Sequence, residues 1–308
     1  ERVPATLPYT CGFEDAVENN GWVLLNGTQT NTWYIGTAAY NSGANGLYIT
    51  NDNGTSNAYD NASTSYVYAY RTINVENASD YVVSYNWMAN GESIIDYLRA
   101  FLVPSDVTIS AGSTNNISTS GAPTGWISID GGNILNQVST WQTVSNTISI
   151  DSAGIYNLVF YWKNDYSVGT QPPAAIDNVS VIEVTCPTVA NITADPDDIT
   201  DNSAVITWTE RGNALAWEVI VSATEVTDLA SATAVPVTEP SYTATGLEAE
   251  TLYHVYVRAN CGTDDNSEWV SSTFTTVAAC ATPDGLVANN VSATSATITW
   301  NGYTATNW

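Results

Sequence analysis

Three acids stand near aromatic residues in a pattern suited to cleaving a glycosidic bond: Glu92 and Asp96 flank a short loop ahead of residues 97 to 103, and Asp165 follows Trp162. Such chemistry needs one carboxyl group as acid and a second as base or nucleophile, set about a sugar that the protein holds. Acids beside turns are also ordinary turn formers, so the pattern admits both readings. Trp126, Trp141 and Tyr40 are candidate ligand-binding rings, because aromatic faces stack on the apolar faces of pyranoses. Other catalytic chemistries find little material. His254 is the only histidine, so there is no His-rich zinc site, and a serine triad would rest on this one residue, which sits in a strand-like run. The four cysteines, Cys11, Cys186, Cys261 and Cys280, show no C-x-x-C spacing and allow three disulfide pairings.

The elements that must position these groups are strands. Residues 81 to 87, 156 to 162, 217 to 221 and 253 to 258 place β-branched or aromatic residues at alternate positions, between clusters of Asn, Gly, Asp and Pro. An all-β chain of sandwiches is expected, with domains at 1–185 and 186–278 and the start of a third at 279–308. That third segment opens as the second does: residues 203 to 208 read SAVITW and residues 295 to 300 read SATITW, each at a similar distance after a cysteine. The repeat breaks off at Trp308, so the chain is expected to be a piece of a longer modular protein. With 31 acids against 6 bases the net charge is −25, which repels nucleic acid and anionic membrane and leaves divalent cations as the natural charged partners. No apolar run reaches the length of a membrane span, and a leader peptide is expected to have been removed.

In residues 186 to 278, Trp208 is expected in the core of the second strand, and Tyr253 follows the GLEAETL turn as a tyrosine corner. This segment resembles a fibronectin type III domain of the cysteine-bearing form found in secreted Bacteroidota proteins. The resemblance continues, truncated, through 279–308. In this topology the first strand starts and the sixth ends at one pole, which implies a Cys186–Cys261 disulfide. A Cys11–Cys186 bond is the competing pairing, and Cys280 would by repetition pair beyond Trp308. Disulfides imply an oxidising compartment.

Residues 1 to 185 carry three clusters, LPYTCGFED, NGESIIDYLRAFLVP and FYWKNDYSVGTQPPAAIDNVSV. Together they resemble the MAM-like jelly-roll domains of secreted Bacteroidota proteins, the choice-of-anchor J and cleaved-adhesin group. In a jelly roll the first and last strands are neighbours, so Glu14 and Asp177 are expected to face one another. Two adjacent buried carboxylates call for a cation, and calcium takes six to eight oxygens of the kinds abundant here. A structural calcium at Glu14 and Asp177 is also what the resemblance implies; Asp52 of the ITNDNG turn is a further candidate ligand, and turn formation is its other reading.

The expected function is a non-catalytic, secreted or cell-surface adhesion module, whose jelly roll recognises a glycan or a host or matrix protein and whose fibronectin-like repeats act as spacers. The alternative is the accessory part of a secreted peptidase or glycoside hydrolase whose catalytic domain lies outside residues 1 to 308.

Overall fold

Alternation with a period of two puts one side of a strand in a core and the other at its surface. The computed structural model describes residues 2–212, 214–263, 265–279 and 284–301, and the chain divides into two units, Glu1–Thr185 and Cys186–Trp308. The strands of the first unit are β1 (Ala5–Thr6), β2 (Tyr9–Cys11), β3 (Trp22–Leu25), β4 (Thr32–Gly36), β5 (Gly46–Thr50), β6 (Ser65–Val75), β7 (Ser79–Ala89), β8 (Tyr97–Pro104), β9 (Ile127–Ser128), β10 (Val138–Ile150), β11 (Gly154–Asn164) and β12 (Ala175–Glu183). One short helix, α1 (Ala16–Asn19), is capped by the Asp15 carboxylate.

These strands form two sheets. The first runs β1-β6-β11-β8-β9 with β3 also on β6, and the second runs β10-β7-β12-β5-β4 with β2 on β12. Between them lie Tyr81, Val83, Tyr85 and Trp87 of β7 and Leu158, Phe160 and Trp162 of β11, joined by Trp22 and Trp33. Each alternating run thus supplies one wall of the core, as its period requires.

The outer face of the first sheet is covered in part by the segment that leaves β8 and returns at β10. Ile109, Ile117, Trp126 and Ile134 of that excursion lie over Tyr68, Phe101, Val103, Val159 and Tyr161. This is why β8 is buried at seven of its eight positions. The excursion is pegged by Arg99, which points outward from β8 yet is wholly buried. Its Nε donates to Asp130 Oδ2 at 2.6 Å, and its terminal nitrogens donate to the carbonyls of Ser118 and Gly121.

The second unit contains β13 (Ala190–Ile199), β14 (Ser203–Thr209), β15 (Ala216–Ser222), β16 (Val235–Val237), β17 (Ser241–Thr245), β18 (Leu252–Gly262), β19 (Asp265–Asn266) and β20 (Val270–Thr275). They make a sheet β13-β14-β17 and a sheet β16-β15-β18, with β19 and β20 on β18. Trp208 of β14 and Trp217 of β15 meet edge to face at 6.0 Å in its core. Beyond it, β21 (Asp284–Asn289) and β22 (Thr297–Asn301) pair antiparallel with one another. There Trp300 is 42% exposed, whereas Trp208, at the matching place in the repeat, is 6% exposed.

Candidate functional site

Asp177 lies in β12, and Glu14 lies three residues past the end of β2, which pairs with β12 through Cys11 and Val179. Both carboxylates close on the same loop, residues 41 to 45. Asp177 Oδ2 accepts the backbone N–H groups of Asn41 and Ser42 at 2.8 and 2.9 Å. Glu14 Oε1 accepts those of Ala44 and Asn45 at 2.8 and 2.9 Å, and Asn45 Nδ2 reaches Oε2 at 3.0 Å. The backbone amides of Ala44 and Asn45 hold the Glu14 carboxyl below its usual range. The two acids therefore have a local task, anchoring one loop. Asp52 is apart from them, within the turn after β5, where it accepts from the Ser56 and Thr50 hydroxyls and the Ser56 amide. Those bonds lower its pKa to about 2.

Loop 41 to 45 borders the outer face of the second sheet. Across that face the register aligns Met88 with Ala175, Ala175 with Tyr48, and Tyr48 with Tyr34, while Trp141 lies beside Met88 at the β10 edge. One row of side chains thus crosses five strands, about 19 Å at the usual strand spacing. Ala38 and Ala39 cover its middle. They come so close that Gly46 leaves no room for a Cβ against the Ala39 carbonyl. The ends are less covered: Trp141 is half-buried and Tyr34 is 40% exposed. Tyr40, which follows Ala39, is 45% exposed and is not brought into the row. A polar row runs beside it, in which Asn86 Nδ2 donates to Thr143 Oγ1 at 2.8 Å and Asn86 Oδ1 accepts from Asn178 and Asn41. Trp126 does not join this face. It packs edge to face on Phe101 at 5.4 Å, on the first sheet, because the excursion that carries it turns its ring down onto β8.

Glu92, Asp96 and Asp165 do assemble. Their carboxylate oxygens lie within 4.8 Å of one another, and they are the only such group of three among the described residues. Asp96 is 1% exposed and fully engaged: Tyr59 OH donates to Oδ2 at 2.7 Å, the Asp165 amide to Oδ1 at 3.1 Å and the Glu92 amide to Oδ2 at 3.3 Å. Ser167 Oγ bridges Glu92 and Asp165. The set knits the loop before β8 to the one after β11, and its oxygens are of the kind a hard cation accepts.

Burial pushes the Asp96 carboxyl above its ordinary range, against the opposing effect of its hydrogen bonds. A raised native pKa means the folded state holds this proton more tightly than the unfolded state does. Stability from Asp96 is therefore full below the ordinary carboxylate range and falls as pH rises from about 4 through the raised value. Asp52 and Glu14, whose values are lowered, act with the opposite sign below about pH 4. Urea midpoints across pH 4 to 7 are expected to show the decline in the wild-type chain and not in Asp96→Asn; equal slopes in both would refute it.

In the second unit Cys186 and Cys261 form a disulfide with Cα atoms 5.7 Å apart. Cys11 is a buried free thiol in the first unit, and Cys280 lies outside the described residues. The Glu248 amide donates to Tyr253 OH at 2.9 Å, the corner bond. His254 is half-buried on β18. Residues 187–273 match the fibronectin type III domain model. This segment is a fibronectin type III domain. The fibronectin type III domain of human collagen alpha-1(XX) is similar to it, at 22% identity over 32% of this chain and 90% of that one, with a TM-score of 0.27. A redesigned β-sandwich protein is 30% identical over 30% of this chain and 91% of its own, with a TM-score of 0.25. A longer stretch is similar to the CBM22-1 xylan-binding domain of Paenibacillus barcinonensis Xyn10C, at 12% identity over 59% of this chain and 97% of that one, with a TM-score of 0.35. No curated protein matches the chain. Among the described residues no helix is long and apolar enough to cross a membrane.

Proposed function

We propose that the chain is a non-catalytic, extracellular binding and spacing module, in which a MAM-like N-terminal sandwich takes a glycan on the outer face of its second sheet. The fibronectin type III domain is the spacer. The observation that carries this reading is the row from Trp141 to Tyr34, less covered at its two ends and bordered by amide and hydroxyl groups on a five-strand path of the second sheet. Rings supply flat apolar area at low entropic cost, and amides supply directional bonds to hydroxyls. The disulfide favours an oxidising, extracellular setting. Against catalysis by Glu92, Asp96 and Asp165 stands the engagement of both Asp96 oxygens in a buried network, which leaves that group no path to a substrate proton.

Binding of neutral oligosaccharides to the full chain is expected to weaken about tenfold or more on Trp141→Ala together with Tyr34→Ala, with no turnover of chromogenic glycosides or peptides. Binding unchanged by those substitutions would displace the site, and turnover lost on Asp165→Asn would replace the module by a hydrolase. Attachment to a matrix protein in place of sugars would keep the module and change its partner. The sequence of the whole gene product separates a free-standing adhesin from the accessory part of a hydrolase.

Calcium belongs to the same reading. Added calcium is expected to raise the melting temperature of the first unit and chelator to lower it. Loss of the response in Asp177→Asn places the ion at the Glu14–Asp177 loop clasp, loss in Asp165→Asn places it at the three-carboxylate cluster, and an unchanged transition removes it.

A further inference from the structure

The excursion that covers the first sheet stops short. Beyond it, the outer face of β3, β6 and β11 forms the floor of an open groove of about 650 Å³, lined by Val23, Tyr70, Thr72 and Ile155, with Arg2 and Ser105 at its walls. It continues past Tyr70 and Ser105 into a further space of about 230 Å³ beside Asp106 and Asn157. The combined size is that of a small-ligand site. Both walls are fixed: Arg71 Nη1 donates to the Val3 carbonyl and Arg2 Nε to that of Asn20, while the Ser105 amide donates to the Ile155 carbonyl.

We propose that this groove is a second glycan subsite, on the opposite outer face from the Trp141–Tyr34 row, and that it takes a neutral sugar chain. Tyr70 offers a half-buried ring at the point the two spaces share. Beside it Thr72 Oγ1 donates to Asn157 Oδ1 at 2.8 Å, which orients the amide. Asn157 is 7% exposed, lines the smaller space, and makes no side-chain hydrogen bond among the described residues beyond the one it accepts from Thr72. Its Nδ2 is not sealed from solvent, so water serves it in the open groove and the hydroxyl of a ring stacked on Tyr70 can take that place.

The strands that carry Tyr70 and Ile155 leave no room for a peptide added to them by its backbone: β6 is paired by β1, β3 and β11, and β11 by β6 and β8. The far edge of the four-residue β3 is unpaired among the described residues, but it lies away from Tyr70 across β3. Recognition over Tyr70 must come from side chains. Arg2 on one wall and Asp106 on the other cancel, and the chain's overall charge of −25 disfavours anionic sugars. A neutral, hydroxyl-rich ligand is what remains.

The inference shares its ligand class with the reading above but not its residues, so the two fail separately. Hexaoses of xylose, glucose, mannose and galactose, with oligogalacturonate as a charged control, are titrated calorimetrically into the full chain. At least one neutral hexaose is expected to occupy two sites. Tyr70→Ala is expected to abolish one, Asn157→Ala to weaken that same one about tenfold, and Trp141→Ala with Tyr34→Ala to abolish only the other. Tyr70→Phe, which keeps the ring, is expected to retain binding, and unchanged melting of each variant guards against misfolding. A single site insensitive to Tyr70→Ala, binding only of oligogalacturonate, or no binding of any neutral hexaose would each overturn the proposal. The first of these leaves the Trp141–Tyr34 site standing.

Discussion

A chain carrying Arg99→Met unfolds its N-terminal sandwich about 3–5 kcal/mol more readily than the wild type, because the substitution strands a buried charge. Arg99 and Asp130 have no exposed side-chain surface, and Asp130 also accepts from the Ala100 and Gly132 amides and the Ser128 hydroxyl. Without the guanidinium, the carboxylate keeps only these neutral donors and the carbonyls of Ser118 and Gly121 lose theirs. The excursion then loosens from Tyr68, Phe101 and Tyr161. Urea unfolding followed by tyrosine and tryptophan fluorescence measures the loss. Replacing Asp130 as well, in Arg99→Met with Asp130→Leu, is expected to recover part of it, since the cost lies in the unpaired charge more than in the pair. A loss below about 1 kcal/mol for Arg99→Met, as for an exposed pair, would show that the excursion is held by its apolar contacts alone.

The second large effect falls on the fibronectin type III domain. Cys186 and Cys261 are separated by 75 residues, and closing a loop of that size removes about 4.5 kcal/mol of unfolded-state entropy in the chain-entropy account. Reduction, or Cys186→Ala with Cys261→Ala, is expected to lower the melting transition of this domain and leave that of the first unit in place, since Cys11 there is a free thiol. Equal melting with and without reductant would mean that residual structure in the unfolded chain already performs the same restriction.

Much of the framework was legible because alternation is a local signal. Residues 81 to 87 and 156 to 162 announced their inward faces, and Tyr81, Val83, Tyr85, Leu158 and Phe160 are in the core. The repeat of SAVITW and the Tyr253 corner marked the second sandwich for the same reason. The Cys186–Cys261 bond followed from topology. What stayed hidden was whatever depends on a second layer. β8 is covered on both faces, and nothing local in its sequence marks Arg99 and Phe101 as buried beneath a second layer. Trp126 read as a stacking ring because nothing local shows that its segment folds back over Phe101.

The sites show the same limit. Glu14 and Asp177 were paired through the neighbouring terminal strands, but the donors that satisfy them are backbone amides of residues 41 to 45, and amides leave no trace in residue type. Met88, Tyr48 and Tyr34 align with Trp141 only through the pairing of five strands distant in sequence. Glu92, Asp96 and Asp165 were singled out for being near aromatics, and they do meet. The aromatic that decides their chemistry is Tyr59, far from all three along the chain, which occupies Asp96.

The Cys186–Cys261 bond also sets how the chain answers to tension. A pull transmitted along the backbone enters this domain near Cys186 and crosses to Cys261 through two sulfur atoms, so β13 to β17 and most of β18 bear none of it once the outer strand has peeled away. The withheld loop would otherwise yield roughly 250–270 Å of slack. With the bond intact, the domain behaves under load as a tether of nearly fixed length; reduced, it becomes an extensible one.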